Sequence, residues 1–215
     1  MSNFWRMVTP VVRNLIIINT VMLVGSMLIG DTAYEYFALF PFESPFFKWY
    51  QMVTHMFMHG GFWHLFFNMY TLMIFGTALE RVWGDKKFLL FYFVTGLGAA
   101  LCHNLVLHLQ IEHLQAIGET AKVATILRTP TVGASGAIYG VLLGYGMLYP
   151  NHVLQLIFPP VAMKAKWFVI IFAAIELVTG LTGTGGNIAH FAHLGGMLFG
   201  LVLILYWKKR NRLYY

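Results

Sequence analysis

Six long apolar segments set the main limit on what this chain can fold into. They cover roughly residues 11–30, 61–79, 88–109, 131–149, 167–183 and 188–207. A helix of about 20 mostly apolar residues crosses a bilayer, since it satisfies its own backbone hydrogen bonds in lipid. Charged residues make up only 10% of the chain, whereas a typical soluble domain has about 25%. The sequence therefore predicts an all-α membrane protein, a bundle of six transmembrane helices forming a single domain over residues 1–215.

The first apolar segment leaves one alternative open. Arg6 and Arg13 precede it and Gly25-Ser26 offers small residues for cleavage, which is the pattern of a secretory signal peptide. Five further apolar segments follow, and the run approaches full spanning length. We therefore predict a first helix that is retained in the mature protein. No Arg- and Ser-rich transit segment precedes it, which favours a bacterial inner membrane over a mitochondrion.

The positively charged residues predict the orientation, because Lys and Arg concentrate in cytoplasmic segments. With both termini inside, three of the fourteen fall outside: Lys48, Lys122 and Arg128. The other eleven fall inside: Arg6, Arg13, Arg81, Lys86, Lys87, Lys164, Lys166, Lys208, Lys209, Arg210 and Arg212. This asymmetry explains the net charge of +6 as membrane topology. Nucleic acid is therefore not an expected partner, whereas the lipid bilayer is.

The first outer loop, residues 31–60, has the composition of a segment at the lipid headgroups. Pro41 and Pro45 interrupt any long helix in it. Its aromatic residues include Phe40, Phe42, Phe46, Phe47, Trp49 and Tyr50. We expect this loop to lie at the membrane interface. Cys102 is the only cysteine, so an internal disulfide is excluded.

Polar side chains recur in three of the apolar segments. In the predicted orientation the second, fourth and sixth helices all run from outside to inside. Their first turns carry His64 and Asn68, then Ser135, then His190 and His193. Polar groups at one depth on three helices predict a shared wet cavity that opens outward.

Ser135 has two interpretations. It lies among small residues, and the glycines at 136, 140 and 144 fall on one helix face, so it could simply serve close helix packing. It could also be a nucleophile about one turn inside its helix, activated by a histidine of near-neutral pKa. An acyl transfer also needs donors for the oxyanion, and His64, Asn68 and the Ser135 amide are candidates. Glu176 is the one intramembrane carboxyl candidate, and we expect it to serve helix or loop hydrogen bonding rather than catalysis.

A zinc site is the rival chemistry, because His55, His59 and His64 cluster in the sequence. No His-Glu-x-x-His motif or cysteine pair accompanies them, and Gly60-Gly61 interrupts the helix between the last two. We therefore expect no metal site and no cofactor.

Four motifs make the chain resemble the rhomboid family of intramembrane serine proteases. They are His59-x4-His64-x3-Asn68, Gly76-x3-Glu80-Arg81, Gly133-Ala134-Ser135-Gly136 followed by Tyr139, and Ala192-His193-Leu194-Gly195-Gly196 with Gly200. Together they cover about residues 45–205. The family's glycine spacing after the base, three and seven residues on, fits His193 with Gly196 and Gly200, and it does not fit His190.

The resemblance implies a six-helix bundle with a water-filled cavity and a Ser–His dyad without an acid. Ser135 would be the nucleophile and His193 the base. The oxyanion site would be lined by His64 and Asn68, and Tyr139 would stack on the base. Supporting backbone positions would be Gly133, Gly136 and Gly196, and Glu80 and Arg81 would be structural. The fifth helix and the link after it, residues 182–187, would form a lateral gate for substrate.

One departure from the family pattern lies in the first loop. Many relatives have Trp-Arg shortly before a Thr-His pair, and aligning on Thr54-His55 places Tyr50-Gln51 there. The loop is therefore expected to be anchored differently.

The resulting expectation is a serine endopeptidase that cuts single-span membrane proteins in or near their transmembrane segments. The alternative is a catalytically silent rhomboid-like protein that binds membrane clients. A transporter would be expected to show repeated halves with broken helices, which the sequence lacks.

Overall fold

The computed structural model describes residues 7–155, 160–183, 187–211 and 213, with only the backbone of 187–189. The helices are α1 Pro10–Ile29, α2 Asp31–Phe37, α3 Gln51–Thr54, α4 Phe62–Trp83, α5 Asp85–Ala116, α6 Thr120–Arg128, α7 Ser135–Leu148, α8 Ala165–Thr182 and α9 Asn187–Lys209. A 3₁₀ turn, His55–Phe57, follows α3, and a π turn, Leu72–Gly76, lies within α4. Between α7 and α8, strands β1 Val153–Gln155 and β2 Ala162–Lys164 pair antiparallel.

The predicted all-α membrane bundle is confirmed. Among the described residues, the five helices α1, α4, α5, α8 and α9 are long and apolar enough to cross a membrane. The sixth, α7, is apolar but has only 14 residues, about 21 Å at 1.5 Å per residue. It packs between α5 and α9, so much of its surface faces protein rather than lipid. The expected hinge or gate at residues 182–187 includes residues 184–186, which lie outside the described residues.

The start of α7 differs from the prediction of a helix beginning at residue 131. Thr131 instead pairs in extended conformation with Leu39, with backbone hydrogen bonds of 2.8 and 2.9 Å. Gly133 has a φ of 129° and donates its N–H to the His55 carbonyl at 2.9 Å. Because these contacts hold the backbone extended, the helix begins at Ser135 itself. The expectation that Ser135 lies one turn inside the helix was wrong.

Glycines let α5, α7 and α9 approach one another closely. A Cβ atom on Gly140 of α7 would lie 2.5 Å from Thr95 of α5. A Cβ atom on Gly136 would lie 2.4 Å from the Cβ of Ala99, also on α5. Real Cβ atoms do not approach so closely, so larger residues at these positions would force the helices apart.

Helix α5 is longer than the predicted segment 88–109, and its last turns pack against α6. Its 32 residues extend about 48 Å, more than a hydrocarbon core of about 30 Å. Ile111 and Leu114 near its end are buried against Val123 and Ile126 of α6. Much of the expected second outer loop is therefore a packed helical hairpin.

A buried carboxylate joins the end of α4 to the start of α1. Glu80 is 2% exposed and accepts hydrogen bonds from the Thr9 hydroxyl at 2.6 Å and from the backbone N–H groups of Val11 and Val12 at 2.9 Å. The first amides of a helix have no partner within the helix, and an anion is favoured at that end. This network fixes the position of α1 against α4.

The first outer loop is anchored by Gln51. Its side chain is fully buried. The amide nitrogen donates to the carbonyls of Glu35 and Phe46, both at 3.1 Å, and the amide oxygen accepts from the Lys48 N–H at 3.0 Å. A neutral side chain thus holds together segments of the loop that are distant in sequence.

Candidate active site

The hydroxyl of Ser135 lies 2.9 Å from Nε2 of His193, which is hydrogen-bonding distance. Ser135 is the first residue of α7, and His193 lies near the start of α9. The distance follows from the packing of the two helices, since Gly196 rests against the carbonyl of Gly136 one residue after the serine. A serine and a histidine so placed can exchange a proton.

The ring of Tyr139 covers one face of the His193 imidazole. The ring centroids are 4.1 Å apart and the planes differ by 5°. Tyr139 lies one turn after Ser135 on α7. The stack fixes the plane of the imidazole in the orientation that points Nε2 at the hydroxyl.

Glu176 of α8 contacts the same imidazole at Nδ1. One of its carboxylate oxygens is 3.1 Å from Nδ1 of His193, an ion-pair distance at which the angle is not that of a hydrogen bond. The same oxygen accepts a short hydrogen bond from the Tyr139 hydroxyl. The second oxygen lies 2.5 Å from Nδ1 of His190. The expectation that Glu176 serves only helix or loop hydrogen bonding did not foresee its contact with the His193 ring.

His64 and Ser135 converge on Gly133. A Cβ atom on this glycine would lie 2.9 Å from Cε1 and Nε2 of His64 and 3.6 Å from the Ser135 hydroxyl. Glycine is required here twice over, since its φ is in the left-handed region and the His64 ring occupies the space of a side chain. The Gly60 N–H donates to Nδ1 of His64 at 3.3 Å, which leaves Nε2 directed toward the site.

Asn68 lies one turn beyond His64 on α4 and is 7% exposed. Its amide nitrogen has no hydrogen-bond partner among the residues described. A buried N–H group without a partner is costly, so a free donor of this kind is usually explained by water or a ligand. No side chain of the described residues caps the start of α7, so its first amides are available as further donors.

A cavity of about 40 Å³ adjoins the dyad, which is enough for at least one water molecule. Its lining includes Ser135 and His193, together with His55, His103 and Thr131. Nε2 of His103 lies 2.7 Å from the Thr131 hydroxyl. Polar groups on several sides make this a place where water can be held beside the serine.

His55 and His59, which precede α4, are both buried. Burial lowers the pKa of His55 to about 4, and Nδ1 of that ring lies 2.8 Å from the Gln51 carbonyl. Burial and the charge of nearby His64 lower the pKa of His59 to about 4. The His59 and His64 rings pack edge to face with centroids 5.0 Å apart.

The side chains that could hold a metal are not those that the sequence suggested. Within the described part of the chain, Glu176, His190 and His193 have ligand atoms within 4.8 Å of one another. This set includes the ring that contacts Ser135. A metal bound there would compete with the serine–histidine pair rather than assist it.

Comparisons with known proteins identify relatives of the chain. A profile described as "Rhomboid domain" matches residues 47–210. The presenilin-associated rhomboid-like protein of Rattus norvegicus mitochondria is 32% identical over 75% of this chain and 40% of its own length. Rhomboid protease AarA of Providencia stuartii is 27% identical, covering 72% of this chain and 54% of its own. Putative rhomboid protease YdcA of Bacillus subtilis is 27% identical, covering 78% and 72%. The chain thus spans about half or less of the length of the first two of these relatives.

Proposed function

We propose that this chain, which belongs to the rhomboid family, is an intramembrane serine protease that acts through Ser135 and His193. The observation that carries the proposal is the 2.9 Å contact between the Ser135 hydroxyl and Nε2 of His193. Tyr139 stacked on the imidazole supports it further, since a base must be held in one orientation to accept a proton from one atom.

The first half of the reaction forms an acyl-enzyme. The Ser135 oxygen bonds to the carbonyl carbon of the substrate while its proton moves to Nε2 of His193. The tetrahedral intermediate then expels the amine half of the peptide, which takes the proton from Nε2. Since the C–N bond breaks and the amine leaves neutral, charge and protons balance.

The developing oxyanion needs donors that are already in place. Nε2 of His64 beside Gly133, the free amide of Asn68 and the N–H groups at the start of α7 supply them. No metal or cofactor takes part in these steps.

Water completes the cycle. A molecule held in the cavity beside Ser135 gives its proton to Nε2 of His193 and attacks the acyl carbon. The serine oxygen then leaves with the proton and is regenerated. The polar side chains of His103 and Thr131, which also line this cavity, favour water at this position.

The proposed substrates are single-span membrane proteins cleaved in or near the transmembrane segment, entering from the bilayer past α8. The family resemblance implies small residues at the cut and a helix that unwinds easily. The Lys and Arg distribution supports cytoplasmic termini. Accessibility of cysteines introduced at Phe47 and Lys209 would test the orientation. Labelling of the cysteine at position 209 by a thiol reagent added outside would contradict it.

The competing proposal is a silent family member that binds membrane clients without cutting them. A fluorophosphonate probe distinguishes the two, because it reacts with a serine only when a base activates the hydroxyl. We expect a stoichiometric adduct on the peptide that contains Ser135, absent from Ser135→Ala and His193→Ala. A folded protein that gives no adduct would favour a catalytically silent family member.

A further inference from the structure

The carboxylate of Glu176 contacts three aromatic side chains from two other helices. It contacts His193 at 3.1 Å, His190 at 2.5 Å and the Tyr139 hydroxyl. Its side chain is 8% exposed. A carboxyl group in an apolar span is expensive, and such groups are retained mainly where they act.

The chemistry of these contacts fixes the tautomer of the base. A carboxylate can only accept hydrogen bonds, so the nitrogen of His193 that faces it carries the hydrogen. Nδ1 is that nitrogen, and Nε2 on the opposite side is left with the lone pair that faces Ser135. The contact is not yet linear at rest, and catalytic hydrogen bonds often tighten only when substrate is bound.

We propose that Glu176 is a positioning residue that completes a Ser135–His193–Glu176 unit, where the family resemblance implies a dyad without an acid. Its negative charge stabilises the imidazolium that forms when His193 takes the serine proton, and the proton stays on the imidazole. Tyr139 and His190 donate to the carboxylate and hold it against the ring. This inference rests on the proposed protease function.

Because several donors surround the Glu176 carboxylate, the test must separate the effect of its negative charge from that of its hydrogen bonds. From α7 it is faced by Tyr139, and from α9 by His190 and His193; Thr179 of its own helix contacts His190 at 3.1 Å. The nearby titratable group on α4 is His64. An amide would keep one acceptor for these donors, whereas it would lose the attraction for the imidazolium.

The test is Glu176→Gln in the full-length protein, assayed on a single-span model substrate in liposomes. We expect kcat to fall at least tenfold with KM nearly unchanged. The loss stays below the roughly 10⁴-fold cost of losing the acid in a chymotrypsin-type triad, since the Tyr139 stack still orients the ring. The acid limb of kcat/KM, which reports protonation of the base, should move to lower pH by about one unit or more, because removing an anion disfavours the imidazolium.

The matched control is Glu112→Gln, which neutralises an exposed glutamate 3.6 Å from a histidine outside the site. It should change neither kcat nor the acid limb. Glu176→Asp keeps the charge and supplies a second variant should the glutamine protein misfold; its acid limb should stay closer to that of the wild type.

Two results distinguish a failure of the proposed Glu176 role from a failure of the proposed protease function. If the wild type cleaves, Ser135→Ala does not, and folded Glu176→Gln keeps its kcat and its acid limb, Glu176 is structural and the inference is overturned. If the wild type and Ser135→Ala behave alike, the proposed function itself fails. A lower melting temperature with an unmoved acid limb would likewise mark a purely structural role.

Discussion

Gly196 lies so close to Gly136 that a Cβ atom on Gly196 would sit 1.9 Å from the Gly136 carbonyl oxygen. The obstacle is backbone rather than a flexible side chain, so α9 would have to move. Because His193 is one turn before Gly196 and Ser135 directly precedes Gly136, this contact sets the separation of the two reactive side chains.

Gly196→Ala should therefore reduce both stability and proteolysis. Overpacking of this kind typically costs about 1–3 kcal/mol, and a displacement of about 1 Å at the dyad can lower the rate by about 10²-fold. The matched control is Gly25→Ala in α1, where nothing lies within 4 Å of the new Cβ. Melting temperature and kcat on the two purified proteins test this; a fully active Gly196→Ala enzyme would refute the packing argument.

The two histidines of α9 should differ sharply. His193→Ala removes the base and should abolish cleavage, whereas His190→Ala removes a partner of Glu176 and should leave much of the activity. Since the members of a catalytic unit are not additive, Ser135→Ala/His193→Ala should be no worse than either single variant. Initial rates on one substrate decide, and equal losses for the two histidines would contradict the assignment of the base.

Asn68→Ala separates oxyanion stabilisation from helix packing. Its amide nitrogen is buried and without a partner among the described residues, so its removal should cost little stability. Loss of one oxyanion donor typically lowers kcat by about 10²–10³. We expect that drop with KM and melting temperature little changed. A destabilised but fully active Asn68→Ala protein would sink the oxyanion role.

The first outer loop should lose stability in acid. The pKa values of His55 and His59 are lowered to about 4 in the fold, whereas an unfolded histidine has a pKa of about 6.5. Between pH 6.5 and 4 the two histidines are therefore protonated in the unfolded loop but largely neutral in the folded one. Their contribution to the free energy of unfolding is full above pH 6.5 and is lost as the pH falls toward 4. At 1.36 kcal/mol per unit, each histidine accounts for at most roughly 3 kcal/mol.

Melting temperature against pH measures this effect. The double variant His55→Asn/His59→Phe keeps a polar group at one site and a ring at the other but cannot titrate there. Its curve should be flatter than that of the wild type between pH 6.5 and 4. Parallel curves would show that the acid sensitivity arises elsewhere.

Hydropathy was sufficient to locate the spans, because the cost of polar backbone and charge in lipid constrains membrane helices strongly. Orientation and depth grouped His64, Asn68 and Ser135 with both histidines of α9, and only the family's glycine spacing favoured His193 over His190. The structure brings Ser135 to His193 and His64 to Gly133.

The features that were missed depend on tertiary contacts. Residues Thr131 to Gly133 are compatible with a helix, and only their hydrogen bonds with Leu39 and His55 keep them out of it. The rotation of α8 about its axis is not fixed by hydropathy, so nothing local indicated that Glu176 faces the His193 ring. The rarity of an intramembrane carboxylate was the one available signal.

The most direct test of the account is cleavage of a single-span substrate by the purified protein in liposomes, with Ser135→Ala as the matched control. We expect two defined fragments from the wild type, cut in or near the transmembrane segment, and intact substrate with a folded Ser135→Ala protein. Equal cleavage by both proteins would contradict it.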